Sequence, residues 1–224
     1  MQGTEQSMLE IKNISFRYRR KMVLRDVSFS VGKGECFVLA GANGAGKSTL
    51  LSIIAGILKP GSGEVLCRGK IGYLPQGISL FEDMSVNDNL QFFAGLAKCS
   101  IPEFLPFSLE ERRHEKVGKL SGGQKKQLSI ACALLGNPEI LLLDEPIASL
   151  DIVFRDEFLE MLCELKAQGM TIVYVGHDPA EFESICDSIL FLGSKNEYFT
   201  REEFLKNGSD NSLFAKNYID MMKR

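Results

Sequence analysis

The sequence has no apolar run approaching the ~20 residues that a membrane-spanning helix requires. If the chain works at a membrane, another polypeptide must do the crossing. Met1 to Met8 are polar and lack the apolar stretch of a secretory leader, so none is expected. There is no CxxC pair among the six cysteines, Cys36, Cys67, Cys99, Cys132, Cys163 and Cys186, which argues against a zinc site or a dithiol redox motif. Most sit in apolar stretches and read as buried free thiols in a reducing cytosol. There is no surplus of positive charge either. The formal net charge is -3, so nothing in the balance calls for a nucleic-acid partner, although Arg17 to Lys21 is a local basic stretch. No internal repeat or low-complexity tract stands out. What is present is 224 residues, 45% hydrophobic and 25% charged, enough for one globular domain with a real core.

The opening reads as strands. Leu9, Ile11, Ile14 and Phe16 are apolar positions among polar ones, and Val27, Phe29 and Val31 alternate in the same way between Val23 and Val31. Gly32 to Gly34 is a turn. Cys36 to Ala40 is a continuous apolar run, as in a strand buried on both faces. From Ser48, the apolar residues Leu50, Leu51, Ile54 and Leu58 recur at helical spacing until Pro60 to Gly63 stops them. Ile71 to Pro75 is a short strand ending at Gln76. Helices are expected over Asn87 to Leu96 and Leu109 to Val117, with a proline-containing loop between them, and from a Ser121 cap through Leu135. Ile140–Leu143, Thr171–Val175 and Ser188–Leu192 are further buried strands. Ile152 to Gln168 is an amphipathic helix on Phe158, Leu162 and Leu165, stopped by Gly169. Asn211 to Arg224 reads as a surface helix. Strands alternating with helices imply an α/β fold with a mostly parallel sheet, an antiparallel N-terminal β part and a short helical insertion over about 77–135, all in one domain spanning 1–224.

Three short segments carry chemistry. Gly41, Gly46, Lys47 and Ser48 fit GxxxxGK[ST], with Ala42, Asn43, Gly44 and Ala45 between them. Small residues let backbone N–H groups wrap around phosphate oxygens, and the following helix points its positive end at them. Lys47 can neutralise β- and γ-phosphate charge, and the Ser48 hydroxyl can ligate magnesium. Alone, such a loop can also be a glycine-rich turn. The second segment is Ile140 to Pro146, a buried strand delivering Asp144 and Glu145 to a sheet edge where ligands bind. There Asp144 can hold magnesium through water and Glu145 can polarise an attacking water. In the third, Ser121-Gly122-Gly123-Gln124, a Ser N-cap and two glycines open a helix and make an anion-binding end.

Together these segments resemble the nucleotide-binding subunit of an ATP-binding cassette (ABC) protein along nearly the whole chain, because Leu120 to Gln124 reads LSGGQ, that family's signature. The resemblance implies a P-loop NTPase core and ATP with Mg2+ as cofactors. It assigns Glu145, His177 and Lys47 to catalysis, and Ser48, Gln76 and Asp144 to the metal. Nucleotide contacts fall to Tyr18, Gly41, Asn43, Gly44, Ala45, Gly46, Lys47, Ser48, Thr49, Gln76, Ser121, Gly122, Gly123, Gln124 and Asp151. Tyr18 takes the place of an adenine-stacking aromatic. Phe16 is its rival on the same strand face, and spacing to the loop selects Tyr18. Gln76 matches the Q-loop, Ser149-Leu150-Asp151 the D-loop, and His177 the switch histidine. Taken singly each has a plainer reading, whereas His114, among the charges of Glu110 to Lys116, reads as a solvated helix residue.

The resemblance also implies a head-to-tail homodimer or heterodimer, in which Ser121 to Gln124 of one subunit complete the ATP site of the other. A permease would be the membrane partner, no nucleic acid is called for, and the chain would be cytoplasmic and peripheral to the membrane. Departures from the family pattern fall at Gln127 and Cys132, where many relatives carry arginine, at Ile147, and at Gly176, where Thr or Ser is frequent. The stretch from Gln76 to Ser121 is short. Three functions fit: a transporter ATPase subunit, with phrasing at Met84 to Gly95 closest to exporters; a soluble single-cassette ATPase such as the iron–sulfur assembly type; and a non-hydrolysing regulator, which intact Lys47, Glu145 and His177 disfavour.

Overall fold

The computed structural model describes residues 7–77, 79–147 and 152–208. The D-loop residues Ser149 to Asp151 and the helix expected over Asn211 to Arg224 lie outside the described residues. Strands β1 (Leu9–Tyr18) and β2 (Lys21–Val31) form an antiparallel hairpin. β3 (Cys36–Gly41) is buried at every position, as its unbroken apolar run requires. It leads through the glycine loop into α1 (Lys47–Ile54). This helix is shorter than its apolar spacing suggests. Gly56 takes φ 74°, the left-handed conformation that ends helices, and the Ile57 and Leu58 amides both donate to Ser52 O. Leu58 therefore lies beyond the helix. β4 (Ser62–Cys67) completes a three-stranded sheet of order β2-β1-β4.

After β5 (Ile71–Leu74), α2 (Val86–Ala97) starts at a Ser85 capping box. The helix expected over Leu109 to Val117 does not form. Pro106–Arg112 is a 3-10 segment broken by left-handed Phe107 (φ 62°) and Ser108 (φ 51°), and a second 3-10 turn covers Val117–Lys119. Two adjacent left-handed residues cannot continue an α-helix. In addition, the Val86 and Asn87 amides, donors that α2 itself cannot satisfy, bond Glu115 O and Arg113 O and hold that stretch off a helical path. His114 is exposed there.

The remainder runs α3 (Gly122–Leu134), β6 (Ile140–Asp144), α4 (Ile152–Ala167), β7 (Thr171–Val175), α5 (Pro179–Ile185), β8 (Ser188–Leu192), β9 (Glu197–Thr200) and α6 (Arg201–Gly208). Gly169, at φ 93°, ends α4 as its sequence position implies. The second sheet has order β5-β6-β7-β3-β8-β9, parallel except for β9, which pairs antiparallel with β8. Alternate residues of its central strands face opposite sides. Val38, Leu141 and Tyr174 pack against Phe158, Leu162 and Phe182. Phe37, Leu142 and Val173 pack against Leu50 and Leu51 of α1 and the hairpin residues Ile14 and Val27. A third cluster, including Val86, Leu90, Val117 and Leu128, joins α2 to α3.

The cysteines are less uniformly buried than expected. All six are free, but Cys67 and Cys163 are exposed, Cys99 and Cys132 are half-buried, and only Cys36 and Cys186 are fully buried. Cys67 lies on the exposed outer strand β4 and Cys163 on α4, so an apolar flank in sequence did not guarantee an inward-facing position.

Candidate functional site

The C-terminal ends of β3, β5, β6 and β7 converge on one edge of the sheet. β3 delivers Gly41. Its φ of 141° suits glycine alone, and a Cβ there would come within 2.5 Å of Leu192 O. Gly46, at φ 104°, opens α1, and a Cβ there would meet Leu24 Cδ2 at 2.7 Å and Val23 Cγ1 at 2.9 Å. Hairpin and loop are thus packed backbone to side chain, with no room for anything larger. No side chain caps α1 and no acid stands in its first turn. The positive end of that helix faces an adjoining cleft of about 730 Å³, within the ~300–1,000 Å³ typical of small-molecule sites.

Ten residues assigned from the sequence line this cleft: Tyr18, Asn43, Gly44, Gly46, Lys47, Ser48, Thr49, Gln76, Glu145 and His177. Lys21, the end of the basic stretch, and Val23 line it too and had been given no role in the site. Tyr18 is half exposed, and its ring meets Phe16 edge-on at 4.8 Å, which puts both aromatics on one strand face. Lys47 is buried and donates from Nζ to Gly41 O (2.7 Å) and Ala42 O (3.2 Å). Burial lowers its pKa, against the upward pull of Glu145 and Asp144. Ala45 lies in the loop but lines the hollow behind it.

Glu145 stands at the centre of a clasp. Its Oε2 accepts from Gln76 Nε2 at 2.8 Å, and its Oε1 lies 2.8 Å from His177 Nε2. Its backbone is left-handed at φ 50°, costly for a residue with a Cβ, and its amide donates to Val175 O. Here the conformation is held by that amide bond and by the two side-chain bonds of the clasp. The motif showed that Glu145 follows a strand, and nothing in it signalled this conformation. Asp144, one residue earlier, is fully buried, with the Ser48 hydroxyl close enough to favour its charged form. Burial raises its pKa, and its Oδ1 has no hydrogen-bond partner. Lys126 of α3 is buried with its charge turned toward Asp144 and Glu145, and burial lowers its pKa. Sequence reasoning missed Lys126, whose only signal was its place two residues after Gln124.

Ser121 to Gln124 lie elsewhere. Ser121, Gly123 and Gln124 border a separate polar hollow with Arg112, Gln127 and Phe154. The start of α3 is closed by its own side chains: Ser121 Oγ accepts from the Gln124 amide (3.2 Å) and Gln124 Oε1 from the Ser121 amide (2.9 Å). The structure thus brings the loop, Gln76, Glu145 and His177 together and sets the Ser121 segment apart from them.

An orphaned buried carboxylate oxygen beside a hydroxyl, at the mouth of a phosphate-sized loop, fits a hard dication such as Mg2+. That ion commonly uses one or two carboxylates and completes its shell with substrate phosphates and water.

The family model described as ABC transporter matches residues 24–148. The linearmycin resistance ATP-binding protein LnrL of Bacillus subtilis is 37% identical over 222 residues, covering 87% of this chain and 71% of its own length. The Nod factor export ATP-binding protein I of Burkholderia thailandensis is 39% identical over 204 residues, covering 82% of this chain and 67% of its own. Among solved structures, the ATP binding subunit of an ABC transporter superposes with a TM-score of 0.84 at 28% identity, over 97% of this chain and all of that one.

Proposed function

This chain belongs to the ABC transporter family, and we propose that it is the ATPase subunit of an exporter, working as a head-to-tail pair on a separate membrane permease. It is an ATP-binding subunit whose ATP hydrolysis powers transport. Relatives named for Nod factor export and for linearmycin resistance support the outward direction and favour a transporter over a soluble cassette ATPase. No helix among the described residues is long and apolar enough to cross a membrane. Relatives that are ATP-binding proteins of transporters support a separate permease as the path. The protein then sits at the inner membrane face. The whole of 1–224 acts as one ATPase domain, with the α2–α3 region as its helical insertion.

The observation that carries this reading is the clasp of Gln76, Glu145 and His177 at the mouth of the glycine loop. Tyr18 stacks on the adenine. The loop amides and the open end of α1 take the phosphates, and Lys47 leaves the carbonyls of Gly41 and Ala42 for the β- and γ-phosphates. Asn43, Gly44 and Thr49 shape the wall of that cradle. Ser48, Asp144 and Gln76 would hold Mg2+, which supplies charge neutralisation to the phosphates. Glu145 is the general base. Each of its oxygens accepts one bond in the clasp and keeps a second lone pair with which to take a proton from the attacking water. His177 then turns to the γ-phosphate. Ser121 to Gln124 lie apart from the cleft of their own chain, and they complete the site of a second copy.

The test is steady-state ATP hydrolysis by the purified chain, alone and with its permease in vesicles. Hydrolysis that needs magnesium, with a rate per chain that rises with protein concentration, supports the paired site. Full turnover in a dilute monomer would sink it.

A further inference from the structure

Behind the catalytic clasp lies a second polar group that the mechanism above does not use. Tyr174, the fourth residue of β7, is fully buried, and its hydroxyl donates to Glu181 Oε2 at 2.6 Å. Glu181, on α5, is itself buried. From α4, Arg155 Nη2 reaches Asp178 Oδ2 at 2.6 Å and Glu181 Oε1 at 3.8 Å. Asp178 also caps α5, its Oδ1 accepting from the Ala180 amide. Between Tyr174 and Asp178 the chain carries His177, so these bonds tie β7, α4 and α5 together on either side of it.

Gly176 shows how tight this seat is. A Cβ there would meet Tyr174 Cε1 at 2.6 Å, Glu181 Oε2 at 2.9 Å and Phe182 Cε1 at 3.2 Å. Its backbone is not in the left-handed region, so the glycine is demanded by these neighbours and not by its own dihedral angles. The departure at Gly176 is thereby explained: Tyr174 and Glu181 occupy the space that a Thr or Ser side chain would fill.

We infer that Tyr174, Glu181 and Arg155 are positioning residues that hold the Gly176–His177 backbone so that His177 Nε2 meets Glu145. The inference rests on the proposed role of His177. A buried carboxylate is costly unless paired. Here one oxygen takes the Tyr174 hydroxyl and the other faces Arg155, so the group is satisfied only when β7, α4 and α5 are in register. Both contacts of Arg155 come from one nitrogen, so a lysine ammonium can replace it.

The experiment compares the full chain with Tyr174→Phe, Arg155→Ala, Arg155→Lys and His177→Ala, reading kcat, KM for ATP and melting temperature. Small displacements of catalytic groups cost on the order of ten- to a hundredfold in rate. Tyr174→Phe and Arg155→Ala are therefore expected to lower kcat about tenfold with KM within about twofold, and Arg155→Lys to recover most of the loss. If Tyr174→Phe and Arg155→Ala keep wild-type kcat while His177→Ala loses it, the positioning role is wrong and the role of His177 stands. If their loss of kcat merely follows a lowered melting temperature, or Arg155→Lys is as slow as Arg155→Ala, the network is ordinary scaffolding and the inference falls. Wild-type turnover in His177→Ala would overturn the role of His177 and this inference with it.

Discussion

Two helices in this molecule start with glycine and serine, yet the starts are built in opposite ways. The start of α1 is left open: its N-cap is Gly46, no side chain bonds its amides, and buried Lys47 stands beside it. The start of α3 is closed on itself by the reciprocal Ser121 and Gln124 bonds. The open end stays open because nothing larger than glycine fits between the loop and Val23 and Leu24. The closed end uses its own side chains on the Ser121 and Gln124 amides, which leaves the amides of Gly122 and Gly123 for a ligand. The first end is therefore suited to hold phosphate within one chain. The second lies apart from that cleft, and in the proposed pair it would engage phosphate brought by a partner, so that closure depends on ATP.

The contrast can be broken at either end. Removing the cation of the open end with Lys47→Ala should cost the most, on the order of a hundredfold or more in turnover, measured as phosphate release. Tyr18→Ala removes the stacking face beside that end. ATP affinity should fall by about 1–3 kcal/mol in equilibrium titration, by analogy with stacking on nucleic-acid bases. At the closed end, Ser121→Ala should cost about 1 kcal/mol of stability, and Ser85→Ala, which removes the matching capping box of α2, should cost the same. Only Ser121→Ala should also slow hydrolysis, with ATP affinity of the single chain unchanged. Equal turnover in the two variants would erase the distinction.

The smallest effect is on folding. Burial raises the Asp144 pKa, so the folded chain keeps that proton at a pH where the unfolded chain has lost it. Stability then falls as pH rises from the ordinary carboxylate value through the raised one. Asp144→Asn should raise the melting temperature of the nucleotide-free protein at neutral pH, by about 2–4 °C for each kcal/mol relieved, and the gain should vanish in acid.

How far the sequence could be read depended on how local each signal was. The buried strands Cys36–Gly41, Ile140–Asp144, Thr171–Val175 and Ser188–Leu192 were legible because unbroken apolar runs such as Cys36 to Ala40 and Ile140 to Leu143 leave few other options. β4 and β9 were missed because they are exposed outer strands with weak apolar alternation. α5 was also missed, although Asp178 followed by Pro179 is an N-cap and first-turn pair that could have found it. The region from Leu109 to Val117 was misread because its path is set by amides of α2, more than twenty residues earlier in the chain. At the site, the residues of the cleft were legible from motif order. The left-handed Glu145, the buried Lys126 and the Tyr174–Glu181 pair depend on contacts between distant segments, and composition or spacing carries no trace of those.

The central claim is that one chain holds half an ATP site. Glu145→Gln removes the base while keeping a side chain that can still bond Gln76, so ATP should bind and persist. Light scattering on this variant with ATP should give a dimer with two nucleotides retained, and a monomer without ATP. A Glu145→Gln chain that binds ATP and stays monomeric would contradict the account.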